Sequence, residues 1–121
     1  DWIWYAKLVG ANFESHPKIQ PAKIQVINKD HPSTRHLPDS WQRTDEWYNF
    51  KSIQPGLNVL ITIDEKSYTG GENGETHPMA WYHAFDGGRA FYTEFGHTDE
   101  SYKDPFYLQH LLGGIQYAIS K

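Results

Sequence analysis

The chain has 121 residues, 38% of them apolar and 16% aromatic, enough large packing groups for one domain around one core and too many for a disordered segment. Eleven Lys and Arg against fifteen Asp and Glu give a formal charge of -4, and the absence of any basic run disfavours a nucleic-acid partner. With no apolar stretch near the roughly 20 residues that span a bilayer, membrane insertion is excluded for this stretch, and the sequence reads as a soluble domain.

Cysteine is absent, which excludes disulfides, thiolate ligands and cysteine nucleophiles while leaving the compartment undecided. No signal peptide is visible, but the first residue is not Met, so an exported precursor stays open.

In chain order, Trp2 to Gly10 predicts a helix with Tyr5, Leu8 and Val9 on one face and Gly10 as its cap. Ala22 to Asn28 alternates and predicts a strand. Proline-marked turns follow at Asp30 to Thr34 and Leu37 to Ser40, and a short strand at Glu46 to Phe50 has no periodicity behind it. The aliphatic run Leu57 to Ile63 suits a strand covered on both faces. Asp64 to Pro78 reads as a polar loop, a solvated excursion in preference to a lid. Met79 to Phe85 and Arg89 to Phe95 predict an antiparallel hairpin about Asp86-Gly87-Gly88. The last element is a helix from Pro105, capped by Asp104, with Leu108, Leu111, Leu112, Ile115 and Ile119 as its core-facing stripe and Gly113-Gly114 as a close packing contact.

The best candidate site is the polar segment after the last strand, Phe95 to Glu100. His97 can exchange a proton near neutral pH, and Asp99 and Glu100 follow it closely. The segment Asp45-Glu46-Trp47-Tyr48 pairs carboxylates with rings. Because adjacent residues of an extended strand face opposite ways, Asp45 and Glu46 do not form a pair together, but either can act with His97 across a pocket. His97, Glu46, Asp45 and Glu100 are thus the catalytic candidates, and Trp47, Tyr48, Asp99 and His16 the substrate-binding ones. The His-Pro pairs at His16, His31 and His77 have no known metal spacing, so no metal or cofactor is assigned, with His16 and His77 the better placed should a site converge. The Gly70 to Gly74 loop lacks phosphate-binding spacing.

The segments WYAKLVGANFESHP, HPSTRHLPDSW, TDEWYNF, THPMAWYHAFDGGRAFYTEFGHTDESY and FYLQHLLGGIQYA resemble, in order, the later half of the ThuA-like (trehalose utilisation) family. That resemblance implies an α/β fold, a partial or compact flavodoxin-like sheet domain similar to class I glutamine amidotransferases, with a terminal β-hairpin and a C-terminal helix. It also implies that residues 1–121 form a single ThuA-like domain, in particular its C-terminal portion, and that the ligand is a small-molecule carbohydrate. A homo-oligomer is compatible with it. In the amidotransferase relatives a histidine after a late strand belongs to a Cys-His-Glu triad. His97 stands at a comparable point, but thiol chemistry is closed to a chain without cysteine. The expectation is acid/base chemistry on a sugar or keto-sugar, with non-catalytic sugar binding or a structural role as the competing readings.

Overall fold

The computed structural model describes residues 2–120. Helix α1 (Ile3–Val9) ends where Gly10 turns left-handed at φ 100°, its N–H donating to the Ala6 carbonyl. Seven strands follow: β1 (Asn12–Ser15), β2 (Gln20–Val26), β3 (Ser40–Asp45), β4 (Asn49–Lys51), β5 (Asn58–Ile63), β6 (Pro78–Phe85) and β7 (Gly88–Thr93). Helix α2 (Pro105–Ile119) closes the chain.

The strands form a five-stranded sheet ordered β3-β2-β5-β6-β7 and a small ribbon of β1 with β4. Every pairing is antiparallel. The parallel sheet implied by the flavodoxin-like resemblance is therefore not what these strands make: β-to-β connections replace the helical crossovers that parallel pairing requires. The β6–β7 turn shows the local cause. Phe85 pairs with Gly88 across the two-residue turn Asp86-Gly87, both of which take positive φ (49° and 80°). That geometry matches the twist of the flanking strands and suits Asp-Gly.

Strand β5 is central, and Leu60, Ile61, Thr62 and Ile63 are all buried, in keeping with the largely aliphatic run. Its neighbours add Ala22, Ile24, Met79 and Trp81 to a core that Trp47, Phe50 and Phe95 complete. Strand β3 lay unrecognised in the sequence, because Ser40-Trp41-Gln42-Arg43-Thr44-Asp45 has no apolar alternation; its buried residues are Arg43 and Asp45.

Helix α2 begins as expected, with the Asp104 carboxylate accepting the Phe106 N–H and Pro105 at its first turn. The face it buries is the opposite of the one expected. Tyr107, His110, Gly113 and Gly114 are buried, while Leu108, Leu112, Ile115 and Ile119 are exposed and Leu111 is half-buried. The paired glycines explain the orientation: a Cβ at residue 113 would overlap the Pro32 carbonyl, and one at residue 114 would overlap the Phe91 ring. Only a face without side chains lets the helix backbone come this close.

The polar segment from Asp64 to Pro78 is stitched down. Asn49 bridges the Gly70 carbonyl and the Glu72 N–H, Asn73 bonds both backbone groups of Phe50, and Gln20 bonds both backbone groups of Thr69.

Candidate functional site

Asp45-Glu46-Trp47-Tyr48 continues the alternation of β3 into the gap before β4. Asp45 and Trp47 point inward and are fully buried; Glu46 and Tyr48 point outward and are partly exposed. This alternation assigns each residue its role.

Asp45 is a hub. Its Oδ1 accepts the backbone N–H groups of Glu46 (2.9 Å) and His97 (3.1 Å), and its Oδ2 accepts that of Gly96 (3.0 Å). Arg43 Nη2 and Ser101 Oγ also reach Oδ2, each at 3.2 Å. Gly96 supplies the turn at φ 108°, a left-handed value that a Cβ would strain, and so brings two successive N–H groups to one carboxylate. The Arg43 guanidinium lies 5.2 Å from the ring centres of both Phe95 and Tyr107 and also binds Asp104 at 2.6 Å. This buried Asp45-Arg43-Asp104 set ties the 96–104 segment to β3. Asp45 thus acts beneath the surface, positioning His97 and Glu46.

Above it, four side chains from three segments meet. Glu46 Oε1 lies 3.4 Å from His16 Nε2 and 3.8 Å from His97 Nδ1. The Tyr48 hydroxyl lies 3.5 Å from His97 Nδ1. Ring centres of Phe13 and His97 stand 4.5 Å and 4.7 Å from that of Tyr48, and His16 stands 5.9 Å away. The side chains of His16, Glu46 and His97 keep 41%, 21% and 35% of their surface accessible, so the group is open to a ligand.

His16 Nδ1 lies 2.8 Å from the Pro17 carbonyl, which can only accept. That nitrogen therefore carries the proton, and in a neutral ring Nε2 is left with its lone pair toward Glu46. A proton taken up at Nε2 would face the Glu46 carboxylate directly. Burial raises the Tyr48 phenol above its ordinary pKa, with the charges of Glu46, Glu94 and Asp45 adding to the effect, so Tyr48 stays a hydroxyl donor.

The remaining expected residues lie elsewhere. Trp47 is a core residue whose indole N–H donates to the Gln20 carbonyl at 2.8 Å, so its ring offers no platform. Asp99 and Glu100 stand exposed on a 3-10 turn (Asp99–Lys103), and among the described residues no hydrogen bond or ion pair joins either to His97, Glu46 or His16. His77 is buried among Glu65, Tyr68 and the Tyr48 carbonyl, apart from His16. Among the described residues no group of three His, Asp or Glu is spaced to hold a metal ion.

Two participants were missed in the sequence. Glu94 is buried and accepts the Tyr48 N–H at 2.9 Å, and its other oxygen has no partner among the described residues. Burial holds its carboxyl well above the ordinary range; the Tyr48 N–H opposes this, Asp45 and Glu46 reinforce it, and Arg43 opposes it. Its signal was a lone acid in a strand with no solvent face. Arg43 had no comparable signal, since β3 itself was not legible.

Residues 1–118 match the family model described as ThuA, trehalose utilisation. The chain belongs to the ThuA family. A ThuA-like protein of Bacteroides uniformis is 27% identical with a TM-score of 0.79, over 99% of this chain and 52% of that one. A ThuA-like protein of Parabacteroides merdae is 25% identical with a TM-score of 0.64, over 88% of this chain and 41% of that one. This ThuA chain therefore spans about half the length of the solved relatives it matches. No curated protein matches it.

Proposed function

We propose that the His16-Glu46-Tyr48-His97 group binds a sugar or keto-sugar and moves a proton on it. The observation that carries this reading is the convergence of two imidazoles on one carboxylate beside a phenol and the exposed Phe13 ring. The family's description, trehalose utilisation, supports a carbohydrate as the substrate class.

In this reading the Phe13 and Tyr48 rings, packed edge to face, together offer an aromatic surface to one side of a sugar ring, whose C–H face suits it. One imidazole takes a proton from the carbon beside a keto group, the Tyr48 hydroxyl donates to the oxygen that gains charge, and Glu46 stabilises the imidazolium until the proton returns. Glycosidic hydrolysis would use the same imidazole as the acid at the leaving oxygen. Neither route needs a thiol. The flavodoxin-like, amidotransferase-type architecture and any oligomer belong to this proposal at the level of the whole protein.

The test is calorimetric binding and turnover with trehalose, glucose, 3-keto-glucose and gluconate, for the parent and for His97→Ala, His16→Ala and Glu46→Gln, with Asp99→Ala as control. Binding of at least one sugar, weakened about tenfold or more by each of the three site variants and unchanged in D99A, is expected. No binding by the parent, or equal binding by all folded variants, would sink the reading.

A further inference from the structure

Tyr48 sits between β3 and β4, outside both ladders, yet neither of its backbone polar groups is left to solvent. Its N–H donates to Glu94 Oε1 at 2.9 Å, and its carbonyl accepts from His77 Nε2 at 2.7 Å. Both partners adjoin the sheet, His77 just before β6 and Glu94 just after β7. The Glu94 N–H extends the β6–β7 ladder by bonding the Met79 carbonyl at 3.0 Å, and the Ile63 N–H bonds the His77 carbonyl at 3.1 Å. His77 is itself held, with Nδ1 2.7 Å from Glu65 Oε2 and 3.2 Å from the Tyr68 hydroxyl; Glu65 Oε2 in turn accepts the Asn73 N–H at 2.7 Å. Both side chains are buried, so water does not compete for either bond.

From this geometry we infer that Glu94 and His77 are positioning residues that clamp the Tyr48 peptide from opposite sides and so fix its phenol ring against His97. A buried acid and a buried imidazole serve as the missing strand partner of one residue. An ordinary loop at this point would let the ring shift, because the tyrosine side chain is partly exposed and, among the described residues, the rings packed against it are those of Phe13, His16, Phe50 and His97. The clamp also gives a reason for a buried carboxyl here: one Glu94 oxygen holds the Tyr48 N–H while the other, among the described residues, has no partner and carries a desolvation cost.

This inference rests on the proposed site for its meaning, but its test needs no sugar. The His97 ring centre is 4.7 Å from that of Tyr48, so the His97 ring-proton NMR signals carry the ring current of Tyr48. Tyr48→Leu defines their position with the ring removed. Glu94→Leu and His77→Leu each remove one clamp, and both should move the His97 signals at least about halfway to the Y48L position. Glu94→Gln keeps an acceptor oxygen and His77→Gln keeps a donor nitrogen, and these should leave the signals near the parent's. Hydrogen exchange of the Tyr48 amide in the parent gives a reading that no folding failure can remove: protection comparable with the β6 and β7 amides is expected. A folded E94L or H77L with parental His97 signals would overturn the inference. So would an E94Q that shifts as far as E94L, or a Tyr48 amide that exchanges like an exposed loop. Should sugar binding fail while the His97 signals behave as described, the functional reading falls and the clamp stands.

Discussion

The carboxylate of Asp45 accepts the backbone N–H of His97 at 3.1 Å, and this bond, made across 52 residues of chain, fixes where the imidazole begins. The same oxygen accepts the Glu46 N–H, so one buried group sets the spacing of the two residues that face each other above it. Asp45→Asn would turn one acceptor oxygen into a donor, aimed at N–H groups of Gly96, Arg43 or His97. We expect a loss of about 3 kcal/mol or more, as for breaking a buried ion pair by removing one partner. Urea unfolding measures it, and an unchanged midpoint would show that the hub is dispensable.

The glycine pair of α2 sets helix propensity against packing. Gly113→Ala gains about 1 kcal/mol of intrinsic helix preference, yet its new methyl meets the Pro32 backbone, which cannot yield as a side chain can. A net loss of about 1–3 kcal/mol follows from overpacking. Gly114→Ala should cost less, because it meets the Phe91 ring, a side chain that can turn aside as backbone cannot. Thermal melts of the two variants decide the sign, and a higher midpoint for G113A would refute the close approach.

The exposed stripe of α2 makes a different prediction. Leu112 and Ile115 are 55% and 51% accessible, so Leu112→Gln and Ile115→Gln should leave the unfolding midpoint of this chain nearly unchanged and lower its binding of an apolar dye. A large stability loss in either would mean that the stripe is packed after all.

What was legible in the sequence follows from which interactions are local. Gly10, Asp86-Gly87 and Asp104-Pro105 were readable because a left-handed residue, a two-residue turn and a cap are decided within a few residues. The aliphatic run of β5 was readable because it is buried on both sides. The α2 stripe misled because periodicity reports that a helix has an apolar face, while the glycines decide which face the sheet accepts. Strand β3 was hidden because its inward residues, Arg43 and Asp45, are charged and, beyond their bonds to each other and to the Glu46 N–H, take their partners from segments more than 50 residues away. In the site, the alternation of Asp45-Glu46-Trp47-Tyr48 separated Asp45 from Glu46 correctly, and the same rule sends Trp47 inward with Asp45. Glu94 could be suspected as a misplaced acid, but its partnership with the Tyr48 peptide depends on tertiary structure alone.

Two buried groups give stability opposite pH slopes. Burial pushes His110 down to about 4 from 6.5, against the pull of the Ser33 carbonyl. The unfolded chain therefore binds this proton first as pH falls, so the contribution of His110 is whole above pH 6.5 and is lost toward pH 4, about 3 kcal/mol across the window. His31, also lowered by burial, acts in the same direction. Glu94 is raised above 4.5, so the folded state holds its proton longer; its contribution is whole below pH 4.5 and is lost as pH rises through the native value. Denaturant unfolding from pH 4 to 8 should show His110→Gln with a shallower acid limb and Glu94→Gln gaining on the parent as pH rises. Parallel curves for parent and variants would contradict both assignments.

In the proposed mechanism His16 and His97 serve one ligand through Glu46. It is tested most directly by following the imidazole NMR signals of both histidines while a keto-sugar is titrated into the chain. Both sets are expected to move together along one saturation curve, and Glu46→Gln to weaken or abolish the response at both. Signals that stay still, or that move along separate curves, would contradict it.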